Sequence, residues 1–145
     1  MAIAEPALPS VAKLLKTLLG TPPGPPLQAA IRAGLPAARV TALAEHLHLS
    51  RDQAAAVLGM APRTLNRRLA QRARLTSAES DRLVRVAQVA AQAAEVLGDE
   101  QRASAWLRSP NRGLRGAVPL DELDTGPGTR EVENILGRIA FGGYS

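Results

Sequence analysis

The sequence predicts an all-α protein, and three observations carry that prediction. Aromatic residues make up 2% of the 145 residues, with Trp106, Phe141 and Tyr144 one each, so the core has to be built from Leu, Val, Ile and Ala. Sheet cores lean on aromatic and β-branched side chains, which disfavours a strand-rich reading. Apolar residues also recur at helical spacing in several separate segments. Those segments begin and end on helix punctuation, including Ser50, Pro62, Thr76 and Gly98. The expected architecture is a helix-turn-helix region followed by a small helical domain, within a length that suits one ordinary domain or two small subdomains.

The elements follow in chain order. Val11, Leu14, Leu15, Leu18 and Leu19 lie at i, i+3, i+4, i+7 and i+8 and form one apolar stripe between Ser10 and Gly20. So short a helix is stabilised mainly by docking. The stretch Thr21 to Pro26, Thr-Pro-Pro-Gly-Pro-Pro, reads as an extended tether. The stripe has to dock either on the chain's own core or on a second copy, and because it is tethered it is expected to pack between two copies, giving a homodimer through those five residues. Two short helices are expected from Leu27 to Leu49, broken at Gly34-Leu35-Pro36, with Val40, Leu43, Ala44 and Leu47 turned inward. Thr76 and Glu79 form a capping box that opens a long spine helix, which ends near Leu97 before Gly98. Its stripe of Leu83, Val86, Ala87, Ala90, Ala94 and Leu97 is rich in alanine, which allows close helix approach. A short helix carrying Trp106 and Leu107 comes next, with Trp106 read as a core filler. A one- or two-turn segment follows around Leu120 to Leu123, and the last helix runs from about Thr129 to Phe141. Val132, Ile135, Leu136 and Ile139 supply its buried stripe.

Composition removes several function classes. There is no cysteine, hence no disulfide framework and no thiolate metal site. No apolar run is long enough to span a bilayer and no signal-peptide pattern opens the chain, so a cytoplasmic protein without membrane contact is expected. His46 and His48, two residues apart, point to different sides of a helix with no third ligand nearby, so no metal site is expected. Thr125-Gly126-Pro127-Gly128-Thr129 lacks the lysine and glycine spacing of a phosphate loop and reads as helix punctuation. The acidic group Asp121, Glu122 and Asp124 has neither a histidine close by nor the spacing of a calcium loop. No catalytic role and no cofactor are expected.

The formal charge of +5 is concentrated. Between Arg51 and Arg74 six arginines stand against the single Asp52, a local balance of +5, so the rest of the chain sums to zero. Such a patch is the footprint of a phosphate-backbone binder, and a merely solvated basic helix gives the same count. The segment Leu49 to Leu69 adds a pattern to the charge. Ser50 can cap a first helix, Ala55 is small enough for a close crossing, Gly59 falls in the turn, and Pro62 opens a second helix anchored by Leu65 and Leu69. With those leucines inward, Arg63, Thr64, Asn66, Arg67 and Arg68 face solvent, joined by Arg51. These side chains suit base edges and phosphates in a major groove.

The C-terminal third resembles a known family. Ala105-Trp106-Leu107, Ser109-Pro110-Asn111, Leu114, Gly116, Pro119-Leu120, Leu123, Thr125, Gly128, Val132, Leu136, Arg138-Ile139 and Gly142 are similar to the pattern of the Xre/MbcA/ParS toxin-binding domain. Upstream, Arg63-Thr64-Leu65, Arg67-Arg68-Leu69, Leu75, Glu79-Ser80-Asp81-Arg82-Leu83 and Arg85 resemble the Xre-type helix-turn-helix of the same family. The resemblance implies an antitoxin that covers the mouth of the NAD pocket of a RES-domain toxin and represses its own promoter on operator DNA. It implies toxin contacts at Asn111, Leu114, Pro119, Leu120, Gly128, Arg138 and the tip Gly142, Gly143, Tyr144 and Ser145. From the residues themselves, two glycines past a helix end present one tyrosine and a terminal carboxylate, which suits insertion into a cleft as well as a frayed terminus. The expected regions are 1–27 as helical arm and tether, 28–75 as the helix-turn-helix, and 76–145 as spine and toxin-binding domain. A stand-alone transcriptional regulator, with a C-terminal domain for dimerisation or ligand sensing, remains the rival reading.

Overall fold

Capping groups set several of the helix boundaries in the computed structural model, which describes residues 7–142; Ser10 lies inside the first helix, and the last helix starts at Gly126, ahead of the expected Thr129. After α1 (Ala7–Leu19), Pro25 and Pro26 occupy the first turn of α2 (Pro25–Ala33), where a missing backbone N–H costs nothing. α3 (Ala38–Leu47) ends on the left-handed His48, and α4 (Arg51–Val57) begins with a reciprocal capping box between Ser50 and Gln53. Pro62 opens α5 (Pro62–Ala70). The Thr76–Glu79 capping box opens α6 (Ser77–Leu97), and Gly98 closes it in the left-handed conformation. Asp99 caps α7 (Glu100–Leu107), and two 3₁₀ segments, Arg112–Leu114 and Pro119–Asp124, lead to α8 (Gly126–Ala140).

α6 is the central element, packed by α1, α2, α3, α7 and α8. Leu83, Val86, Ala87, Val89, Ala90 and Ala93 are all fully buried, so the helix is covered over more of its circumference than a single stripe provides. A helix apolar on several sides belongs at the centre of its fold. One continuous core runs from Leu19 and Leu43 through Leu83 to Leu107 and Leu136, joining the regions that the sequence pattern separates. Trp106 packs, partly buried, on that core.

The N-terminal helix corrects the expectation of an arm. Leu15, Leu18 and Leu19 are buried against the chain's own α6 and α3, with Leu19 only 1% exposed, and Val11 and Leu14 lie at the margin of the same core. The three buried leucines are therefore unavailable for pairing two copies. The physical reason is that α6 offers an apolar flank that α1 covers. Because the two prolines begin a helix instead of extending a tether, the short Gly20–Gly24 link returns the chain directly to α2. Among the described residues, no helix is long and apolar enough to cross a membrane.

Candidate DNA and partner-binding surfaces

α4, its turn and α5 form a helix-turn-helix. Gly59 takes φ +70 in the turn, a conformation L side chains rarely adopt. Met60, Leu58 and Ala55 are buried beside it, and Leu65 is fully buried beneath α5. Arg63, Asn66 and Arg67 share the exposed face of α5, while Thr64 and Arg68 sit half-buried toward its flank. Arg51, at the start of α4, donates from Nη1 to Asn66 Oδ1 at 3.2 Å. Arg68 is committed elsewhere, because its guanidinium pairs with Glu79, the capping-box residue of α6. The expected reading face therefore narrows to Arg63, Asn66 and Arg67, with Arg51 beside Asn66. Thr64 and Arg68, half-buried, stand at the flank of that face.

The first half of α6 ties this unit to the rest of the chain. Ser80, fully buried, accepts from Leu35 N at 2.8 Å, and Leu35 O accepts from Leu75 N at 2.8 Å. Arg82 lies over the Gly59 turn and donates to Asp124 O at 3.2 Å. Arg85 donates to Leu123 O at 3.0 Å. The segment Glu79-Ser80-Asp81-Arg82-Leu83 thus joins the recognition helix, the α2–α3 connection and the second 3₁₀ segment. On the opposite side, Ser104 Oγ donates to Leu47 O at 2.7 Å, fastening α7 to α3. His46 Nδ1 lies 3.6 Å from Glu100, and His48 is exposed. Among the described residues, no group of three or more histidines and carboxylates is placed to hold a metal.

In the C-terminal part, Thr125 caps α8 by accepting from Gly128 N at 3.0 Å. Gly128 is obligatory there, since a β-carbon would collide with the carbonyl oxygen of Glu122. Leu114, Pro119 and Leu120 are buried, and Asn111 Oδ1 accepts from Gly113 N at 2.8 Å to shape the first 3₁₀ turn. Arg138 is exposed. With Glu133, Asn134, Gly137 and Phe141 it lines a surface concavity of about 470 Å³. Phe141 is 91% exposed, the one large hydrophobic side chain so placed among the described residues. Next to this surface Arg115 pairs with Glu131 at 3.3 Å, and the hydrogen bond and then the charge of Glu131 hold its guanidinium above the ordinary arginine value. Gly142 follows at φ +72; Gly143, Tyr144 and Ser145 lie outside the described residues.

Residues 26–88 match the antitoxin Xre-like helix-turn-helix domain, and residues 92–142 match the antitoxin Xre/MbcA/ParS C-terminal toxin-binding domain. The chain belongs to the Xre/MbcA/ParS family of antitoxins. Antitoxin Xre of Photorhabdus laumondii is 32% identical over 120 residues, covering 82% of this chain and 81% of that one. Antitoxin Xre of Yersinia enterocolitica is 32% identical over 129 residues, covering 77% and 87%. A chain of the solved M. tuberculosis MbcT–MbcA toxin–antitoxin complex superimposes with a TM-score of 0.56 at 26% identity, covering 75% of this chain and 96% of that one.

Burial places four of the pattern residues in the domain's own core. In this antitoxin Leu114, Pro119, Leu120 and Gly128 build the domain and are corrected from partner contacts to core and close-packing positions. Arg138 and Gly142 remain on the surface, and Asn111 is half-buried. Phe141 is the surface residue that the sequence pattern passed over. Its signal was present: it lies off the stripe of Val132, Ile135, Leu136 and Ile139, which leaves a bulky aromatic without a place in the core.

Proposed function

We propose that this antitoxin neutralises a cognate RES-domain toxin, an enzyme that consumes NAD, by covering the mouth of its active-site pocket, and that it represses its own operon through α5. The single observation supporting partner neutralisation is the similarity to a chain solved within a toxin–antitoxin complex, along 96% of that chain's length. The C-terminal match at residues 92–142 bears the exposed Phe141 and its concavity, and this is the surface we assign to the toxin. An aromatic anchor beside an arginine and an asparagine has the composition of an interface hot spot. Gly142, beside that surface, and the residues that follow it in the sequence are assigned to the pocket mouth.

Operon repression draws on the second surface. Arg63 and Arg67 have no ion-pair partner among the described residues and stand on the exposed face of a helix-turn-helix, which suits phosphate contacts that steer and hold the protein on operator DNA. Residence in the cytoplasm, where both NAD and the operator are found, completes the proposal. The test is co-expression with the product of the adjacent gene. A stable complex that restores growth, and that releases the toxin when the surface around Phe141 is substituted, supports it. A chain that binds operator DNA but no neighbouring gene product is a stand-alone regulator, and the neutralisation reading falls.

A further inference from the structure

The Arg51–Asn66 hydrogen bond constrains what the recognition helix can read. Arginine has donors and no acceptor, so the oxygen of the Asn66 amide must be the atom that faces Arg51, and the amide NH₂ points away from it. Both residues are exposed and stand at adjacent edges of α4 and α5, so their side chains enter any groove that α5 enters together. An asparagine that reads adenine does so with both ends of its amide, accepting from N6 and donating to N7. Here one of the two lone pairs of the accepting oxygen is already engaged. A guanidinium also stands beside it, and its donors would confront the N6 donor of adenine. What the pair presents to a base edge is weighted toward donors, with a guanidinium flanking the one lone pair left on the amide oxygen.

We propose that Asn66 is a specificity residue for guanine and that Arg51 is the residue that positions it. Guanine offers two acceptors, O6 and N7, in the major groove, and thymine offers one beside a methyl group. The inference rests on the operator-binding reading of α5 and adds the base that one of its side chains selects.

The experiment is selection of the full-length protein on randomised duplex DNA, with Asn66→Ala, Arg51→Ala and Arg51→Lys in parallel. The wild-type chain should enrich guanine at one position, and Asn66→Ala should erase that preference by roughly fivefold or more while the flanking positions persist. Arg51→Ala frees the amide oxygen, so adenine should be admitted at the same position; Arg51→Lys keeps a donor there and should retain guanine. The proposal is overturned if the wild-type chain selects adenine at the position that Asn66→Ala degrades. It is equally overturned if Asn66→Ala weakens all sequences alike, as a phosphate contact would, or if Arg51→Ala leaves the guanine preference unchanged. Those results leave operator binding intact, whereas the absence of any salt-dependent DNA binding by the wild-type chain removes the operator-binding reading and this inference with it.

Discussion

Ser80→Ala isolates the joint between the helix-turn-helix and the spine. The Ser80 hydroxyl is fully buried and accepts from the backbone N–H of Leu35 at 2.8 Å. Leu35 is itself 2% exposed, so water cannot replace the lost acceptor. Leaving a buried donor unsatisfied costs about 1–3 kcal/mol. The replacement also places alanine at the fourth position of α6, where better helix propensity offsets up to about 0.5 kcal/mol of that loss. For 145 residues, an unfolding entropy of about 2.1 cal/mol/K per residue gives about 0.3 kcal/mol per degree, so the melting temperature should fall by about 2–8 °C. The assay is thermal unfolding followed by circular dichroism, with the exposed Ser77→Ala in the first turn of the same helix as the control. A fall no larger than that of the control would refute the reasoning, because the Leu35 N–H would then be satisfied without Ser80.

Three further outcomes are expected. Leu19→Ala should destabilise the chain by about 2–5 kcal/mol in urea unfolding, since it opens a cavity under α1; a stable variant with a smaller subunit number would return the stripe to an intermolecular role. The double variant Arg63→Ala with Arg67→Ala should lower the slope of log affinity for operator DNA against log salt by about 1.8, whereas Arg68→Ala, whose charge is held by Glu79, should change it far less. Phe141→Ser should alter stability by no more than about 0.5 kcal/mol but weaken toxin binding by about fivefold or more in calorimetric titration; unchanged affinity would move the interface away from the end of α8.

Most helix boundaries were legible because they depend on local chemistry. Ser50, Thr76, Gly98 and Pro62 cap or open helices through groups within three or four residues, and the structure uses each of them as the sequence implied. The helix-turn-helix was legible for the same reason. The arm was misread because a periodic stripe says that a helix face is covered without saying by what. Only the broad apolar surface of α6, assembled from distant residues, decides that α1 docks within its own chain. The proline run misled in a related way, since proline breaks helix interiors but is welcome in a first turn, and Pro25 and Pro26 sit in the latter.

The candidate sites were less legible than the fold. Family pattern residues mix those that build the domain with those that meet a partner, and Leu114, Pro119, Leu120 and Gly128 prove to be builders. Arg68 looked free because Glu79 lies 11 residues away on another helix, a pairing that no helical spacing encodes. Ser80, Arg82 and Arg85 stood within the recognised pattern without a stated role. Their partners, Leu35 and the carbonyls of Asp124 and Leu123, are distant in sequence and become visible once α6 is placed.

The most direct test of the central claim is NAD consumption by the purified product of the adjacent gene, measured while the full-length antitoxin is titrated in. NAD loss should fall to zero at stoichiometric antitoxin, and the Phe141→Ser chain should need a higher concentration to reach the same inhibition. Continued NAD consumption in a complex that stays bound through gel filtration would contradict the account, for it would show that the antitoxin holds its partner without closing the active site.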